Sequence, residues 1–68
     1  MVPVVSSNLA AVGYDPMSAE MQIRFNSGGL YSYAGVPASV HAGLMSAPSH
    51  GESFSAFIRG RYGDRRIS

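Results

Sequence analysis

The sequence predicts an α+β domain: a small antiparallel β-meander of three to four strands, followed by two short helices packed on one face. Three observations lead there. Met21-Gln22-Ile23-Arg24-Phe25 alternates apolar and polar side chains, the period of a half-buried strand. Asn26-Ser27-Gly28-Gly29 then supplies residues that accept positive φ, as a tight hairpin turn requires. After Gly35 the period changes, and Val40, Leu44 and Ala47 recur at helical spacing.

The elements follow in chain order. Val2 to Val5 is β-branched but interrupted by Pro3, which suits an edge strand, and Ser6-Ser7-Asn8 reads as a turn. Leu9 to Tyr14 is the next strand, closed by Asp15-Pro16, and a polar loop through Glu20 leads into Met21–Phe25. Leu30 to Ala34 returns as a further strand. Val36-Pro37 places proline where a first helical turn tolerates it, so a helix is expected from about Pro37 to Ser46. Pro48 breaks it. Ser49 with Glu52 three residues on forms a capping-box pattern ahead of Phe54, Phe57 and Ile58, and a second helix is expected to run to about Arg61. Phe54, Phe57, Ile58 and Tyr62 form a stripe expected to pack in the core. Gly60 and Gly63 weaken and end that helix, leaving a single domain over 1–62 and a basic tail over 63–68.

The 68 residues are 46% apolar and 13% charged, with a net charge of +1 and no cysteine. Disulfide scaffolds and thiolate-zinc modules are thereby excluded, and the apolar runs are too short to span a membrane. Met1-Val2-Pro3 offers neither the basic nor the apolar stretch of a secretory leader, so a cytoplasmic protein is expected. A chain of this size buries only about 60% of its unfolded surface, which makes self-association a reasonable way to gain burial. Its formal cations, histidines apart, are all arginines: Arg24, Arg59, Arg61, Arg65 and Arg66. Four of them crowd the C-terminal end with only Asp64 among them, a distribution suited to forked hydrogen bonding to phosphate.

Tyr31-Ser32-Tyr33 is the most informative local feature, because residues two apart on a strand share a face. A hairpin loop of even length places both tyrosines on the face of Arg24, as an exposed platform able to stack bases. A loop of three residues, with Asn26 opposite Leu30, turns them instead toward the core beside Phe25 and Ile23. The segregation of Met21, Ile23 and Phe25 from Gln22, Arg24 and Ser32 favours the second register.

Catalysis has little to stand on. His41 and His50 are not on one turn of one helix and no cysteine or paired acid completes a metal set, so neither a metal nor a cofactor is expected. No G-x-S-x-G elbow, phosphate-binding loop or dinucleotide fingerprint is present. The start of the second helix, Ser49-His50-Gly51, presents backbone amides that can hold an anion through Ser49 and Gly51; the alternative is ordinary capping by Ser49.

In this order the residues Ser6-Ser7, Val12-Gly13-Tyr14-Asp15, Phe25 with Gly28, Tyr31-Ser32-Tyr33, Val36-Pro37, Val40, Leu44, Ala47, Ser49, Gly51, Phe54 and Ile58-Arg59-Gly60-Arg61-Tyr62 resemble the KTSC domain. That family comprises a module at the C-terminus of some lysyl-tRNA synthetases and stand-alone bacterial or phage proteins. Position 55 is serine where the family often has asparagine, and position 41 is histidine where tyrosine is common. The resemblance implies a non-catalytic accessory module that binds RNA or tRNA. The expected contacts are Arg59, Arg61, Arg65 and Arg66 on phosphates, with Arg24, Tyr31 and Tyr33 toward bases. The alternative is a self-associating domain, a homo-oligomer that binds a protein or captures a nucleotide-like anion.

Overall fold

A computed structural model describes residues 1–68. Five strands form one antiparallel sheet in the order β1-β2-β3-β4-β5: β1 (Val2–Pro3), β2 (Leu9–Asp15), β3 (Glu20–Phe25), β4 (Leu30–Tyr33) and β5 (Asp64–Arg66). Two helices, α1 (Ala38–Ser46) and α2 (His50–Phe57), connect β4 to β5. The α+β architecture therefore stands, with one strand more than expected and that strand placed after the helices. The segment expected to be a tail closes the sheet.

The β2–β3 ladder pairs Val12 with Ile23 and Tyr14 with Met21, so these four side chains share the helix-facing side of the sheet. The loop joining the two strands is held by Asp15, whose Oδ1 accepts the Met17 N–H at 2.9 Å. The β3–β4 hairpin closes with Phe25 N–H on the Gly29 carbonyl at 2.9 Å, around a three-residue loop of Asn26, Ser27 and Gly28. Gly28 has φ +103, the left-handed position such a loop needs. The loop has the expected length but lies one residue earlier. Tyr31 therefore pairs with Ile23, and Tyr33 with Met21, instead of with Phe25 and Ile23. The parity is unchanged, so both tyrosines turn toward the helices.

Pro37 caps α1 from an extended conformation, so the helix begins one residue later than expected, and no side chain caps it. Ser49 Oγ accepts the Glu52 N–H at 3.3 Å and caps α2 as the sequence pattern requires. The core lies between the sheet and the helices: Leu9, Val12, Met21, Ile23 and Tyr33 from the sheet meet Val36, Leu44, Phe54 and Ile58. Phe57 is not part of it. That ring is 62% exposed, because α2 meets the sheet through Phe54 and Ile58, and the intervening turn carries Phe57 outward. The helix also ends earlier than Arg61; Gly60, at φ +73, turns the chain toward β5.

A candidate binding cleft between the second helix and the fourth strand

Two turns and one helix face build the cleft. Because Leu9 opens β2 opposite Phe25 at the end of β3, the Ser6–Asn8 turn and the Asn26–Gly28 turn meet at one end of the sheet. Asn26 N–H donates to the Asn8 carbonyl at 2.8 Å, and Asn26 Nδ2 to the Ser6 carbonyl at 2.9 Å. Along α2, Gly51 and Ser55 stand four residues apart on one face, and Arg59 lies four beyond Ser55, past the helix end. Between these walls lies an open cleft of about 520 Å³. Its lining includes Phe25, Tyr31, Tyr33 and Phe54 as an aromatic floor, with Asn8, Ser55, Arg59 and Asp64 as polar rim.

The floor is rigid. Phe54 meets Phe25 edge-on with centroids 5.5 Å apart and Tyr33 at 5.6 Å, while Phe25 meets Tyr31 edge-on at 5.5 Å. Gly29 makes room for this, since a Cβ there would lie 3.1 Å from Tyr31 Cε1 and 3.8 Å from Arg66 Cζ. Tyr33 is 4% exposed, yet no protein group accepts from or donates to its hydroxyl, and no buried polar side-chain atom is without a partner. The hydroxyl therefore keeps contact with solvent, and Tyr33 lines the cleft. Burial first, then the Asp64 carboxylate and Tyr31, push it up to about 12, against the opposing pull of Arg59. Tyr14 differs, because its hydroxyl donates to the Val36 carbonyl at 2.7 Å and its ring stacks on His41.

The five arginines do not share one surface. Arg59 is on the cleft rim. Arg66 pairs with Tyr31 in the β4–β5 ladder, its guanidinium over that ring. Arg65 pairs with Ser32 and so projects from the opposite face, where Arg24 also lies, its Nη1 donating to the Gly28 carbonyl at 3.0 Å. Arg61, past the end of α2, turns back on that helix, with Nε donating to the Ala56 carbonyl at 3.1 Å. The contiguous basic C-terminal surface expected from the sequence is thus split by strand alternation.

The start of α2 shows the ordinary capping that the sequence offered beside anion binding. Ser49 serves as the cap of α2, and Gly51 packs against the Ser6–Asn8 turn, where a Cβ would lie 3.3 Å from Ser6 Oγ. The histidines are separate: His41 stacks on Tyr14, and His50 Nδ1 lies 2.9 Å from the Leu44 carbonyl. No group of three His, Cys, Asp or Glu side chains comes together, and no helix is long and apolar enough to cross a membrane. Sequence reasoning missed Asn8, Asn26, Ser55 and Asp64 as cleft residues. The signal was the pair of Ser/Asn turns flanking β2 and β3, which any antiparallel pairing of those strands brings side by side.

Comparison with known proteins agrees with this architecture. A KTSC domain protein from Yersinia pestis superposes with a TM-score of 0.95 at 41% identity, covering 97% of this chain and 93% of that one. A lysine–tRNA ligase of Nostoc sp. is 36% identical over 62 residues, 91% of this chain but 11% of the ligase. An uncharacterized protein of Stutzerimonas stutzeri is 38% identical over 85% of this chain and 82% of its own length. The KTSC domain model itself matches residues 5–62, and the chain belongs to the KTSC domain family.

Proposed function

We propose that this KTSC domain is a small non-catalytic module that binds RNA, with an unpaired nucleotide seated in the cleft between α2 and β4. The observation that carries the reading is the buried Tyr33 with its free hydroxyl in a cleft floored by aromatic rings, beside Tyr31 under the Arg66 guanidinium. Unpaired bases are held by aromatic stacking and by hydrogen bonds along their edges, while arginines take the backbone. The similarity to lysine–tRNA ligases, of which this chain spans about a tenth, supports tRNA as the partner class.

Arg59 lines this cleft and Arg66 stands over its Tyr31 ring, whereas Arg61 turns back on α2 and Arg24 and Arg65 lie on the opposite sheet face. The test is fluorescence polarisation of labelled tRNA and single-stranded RNA across a salt series. Two phosphate contacts give a log–log salt slope of about −1.4. Arg66→Ala weakens binding in this reading, and Arg65→Ala does not. Absent or salt-indifferent binding overturns it.

A second reading, self-association, is carried by Phe57. It is 62% exposed and rims an apolar groove of about 560 Å³ between α1 and α2, lined by Val40, Leu44, Ala47 and Pro48. Ring insertion into the same groove of a second copy is a self-complementary arrangement. Light scattering decides it: a dimer that Phe57→Ser converts to monomer supports the reading, and a monomer at all concentrations overturns it.

A further inference from the structure

The cleft is lined by two opposite charges, Asp64 and Arg59, and by Tyr33, on whose hydroxyl both act. Asp64 pairs with Tyr33 across the β4–β5 ladder, on the helix-facing side, and lines the cleft. Arg59 lines it from the end of α2. A phosphate placed here would meet the Asp64 carboxylate, so the interior of the cleft suits a neutral group that presents both donors and acceptors. The phosphates of a bound strand are better served by Arg66, which stands over the Tyr31 ring.

RNA bases differ in how they meet such a pair. Guanine alone offers two adjacent N–H donors, at N1 and N2, followed by the O6 and N7 acceptors. Uracil places one N–H between two carbonyls, and adenine and cytosine set a donor beside an acceptor, which an amide matches better than a carboxylate. A carboxylate accepts two parallel N–H bonds, and a guanidinium donates to O6 and N7. The amide of Asn26 already donates to the Ser6 carbonyl, which leaves Asn8 as the lining amide that an adenine would have to use.

We infer that the cleft selects an unpaired guanine, with N1–H and N2–H on the Asp64 carboxylate, O6 on the Arg59 guanidinium and the Tyr33 hydroxyl between them. The inference rests on the RNA-binding reading and adds the identity of the base. A base-directed bond pair of this kind discriminates by about tenfold or more.

The test compares three labelled RNAs by fluorescence polarisation: a short oligouridine, the same strand with one central guanosine, and the same strand with inosine, which lacks the N2 amine. Guanosine is expected to tighten binding about tenfold, inosine to lose most of that gain, and Asp64→Asn to abolish the preference. Should Asp64→Asn fail to fold, as circular dichroism reports, the inosine strand on the unaltered protein decides alone. Equal affinity for oligouridine and its guanosine strand overturns the base assignment while leaving RNA binding in place. A guanosine preference that survives the inosine substitution overturns the paired N1–H and N2–H contact with Asp64. Absence of binding to any strand overturns the RNA reading together with the inference.

Discussion

The guanidinium of Arg66 stands over the ring of Tyr31, its Cζ 5.9 Å from the ring centroid, and so joins the last strand to the cleft floor. The backbone supports the same closure, with Ile67 N–H on the Leu30 carbonyl at 2.7 Å and Ala34 N–H on the Gly63 carbonyl at 2.9 Å. An exposed cation–π contact contributes about 0.5–1 kcal/mol. Arg66→Ala is therefore expected to lower stability by that amount, and Arg65→Ala, on the other face, to leave it nearly unchanged. Urea midpoints of the two variants check this; equal midpoints would show that the contact stabilises nothing.

Phe54 and Phe57 are three residues apart and opposite in consequence. Phe54 touches Phe25 and Tyr33 edge-on and is 6% exposed, whereas Phe57 is 62% exposed. Phe54→Ala removes the centre of the core and is expected to cost about 3–5 kcal/mol, enough to unfold a domain of this size. Phe57→Ala is expected to change monomer stability by no more than about 0.5 kcal/mol. Thermal melts of both variants separate the two cases.

This contrast shows what the sequence carries and what it does not. Alternation over Met21–Phe25 identifies β3 and its buried face, and the glycines after Phe25 mark the hairpin, because local period and turn chemistry agree there. Phe57 misled because a stripe at helical spacing leaves open how far around a short helix the sheet reaches. The strand Asp64–Arg66 has no apolar residue and every position is exposed, so periodicity holds no trace of it; pairing with the free edge of β4 makes it a strand. The cleft was illegible for a related reason. Asn8, Ser55 and Asp64 come from three distant segments, and only the packing of α2 on the sheet and the β4–β5 pairing bring them together.

On the sheet face away from the helices, Ser32 is 5% exposed and its hydroxyl donates to the Glu20 carboxylate. Glu20→Ala leaves that hydroxyl buried without its acceptor, which is expected to cost about 1–3 kcal/mol. Ser32→Ala should cost less, because the carboxylate is part-exposed and regains water. The double substitution is expected to fall well short of the sum of the single ones. A double-mutant cycle in urea measures the coupling, and strict additivity would mean that the bond is energetically idle.

The hydroxyl of Tyr33 supplies a pH signature for the cleft. Burial, the Asp64 carboxylate and Tyr31 push its pKa from 10.0 to about 12 in the folded protein. Between those values the unfolded chain has released a proton that the folded chain still holds, so unfolding is favoured as pH rises. Stability from this group is thus intact below pH 10 and declines through the window up to about 12. Tyr33→Phe retains the ring that packs on Phe54 but cannot titrate, so its stability is expected to fall less steeply over that window. Urea midpoints measured at about pH 9 and about pH 11 test this, and parallel declines in the two proteins would refute a shifted Tyr33.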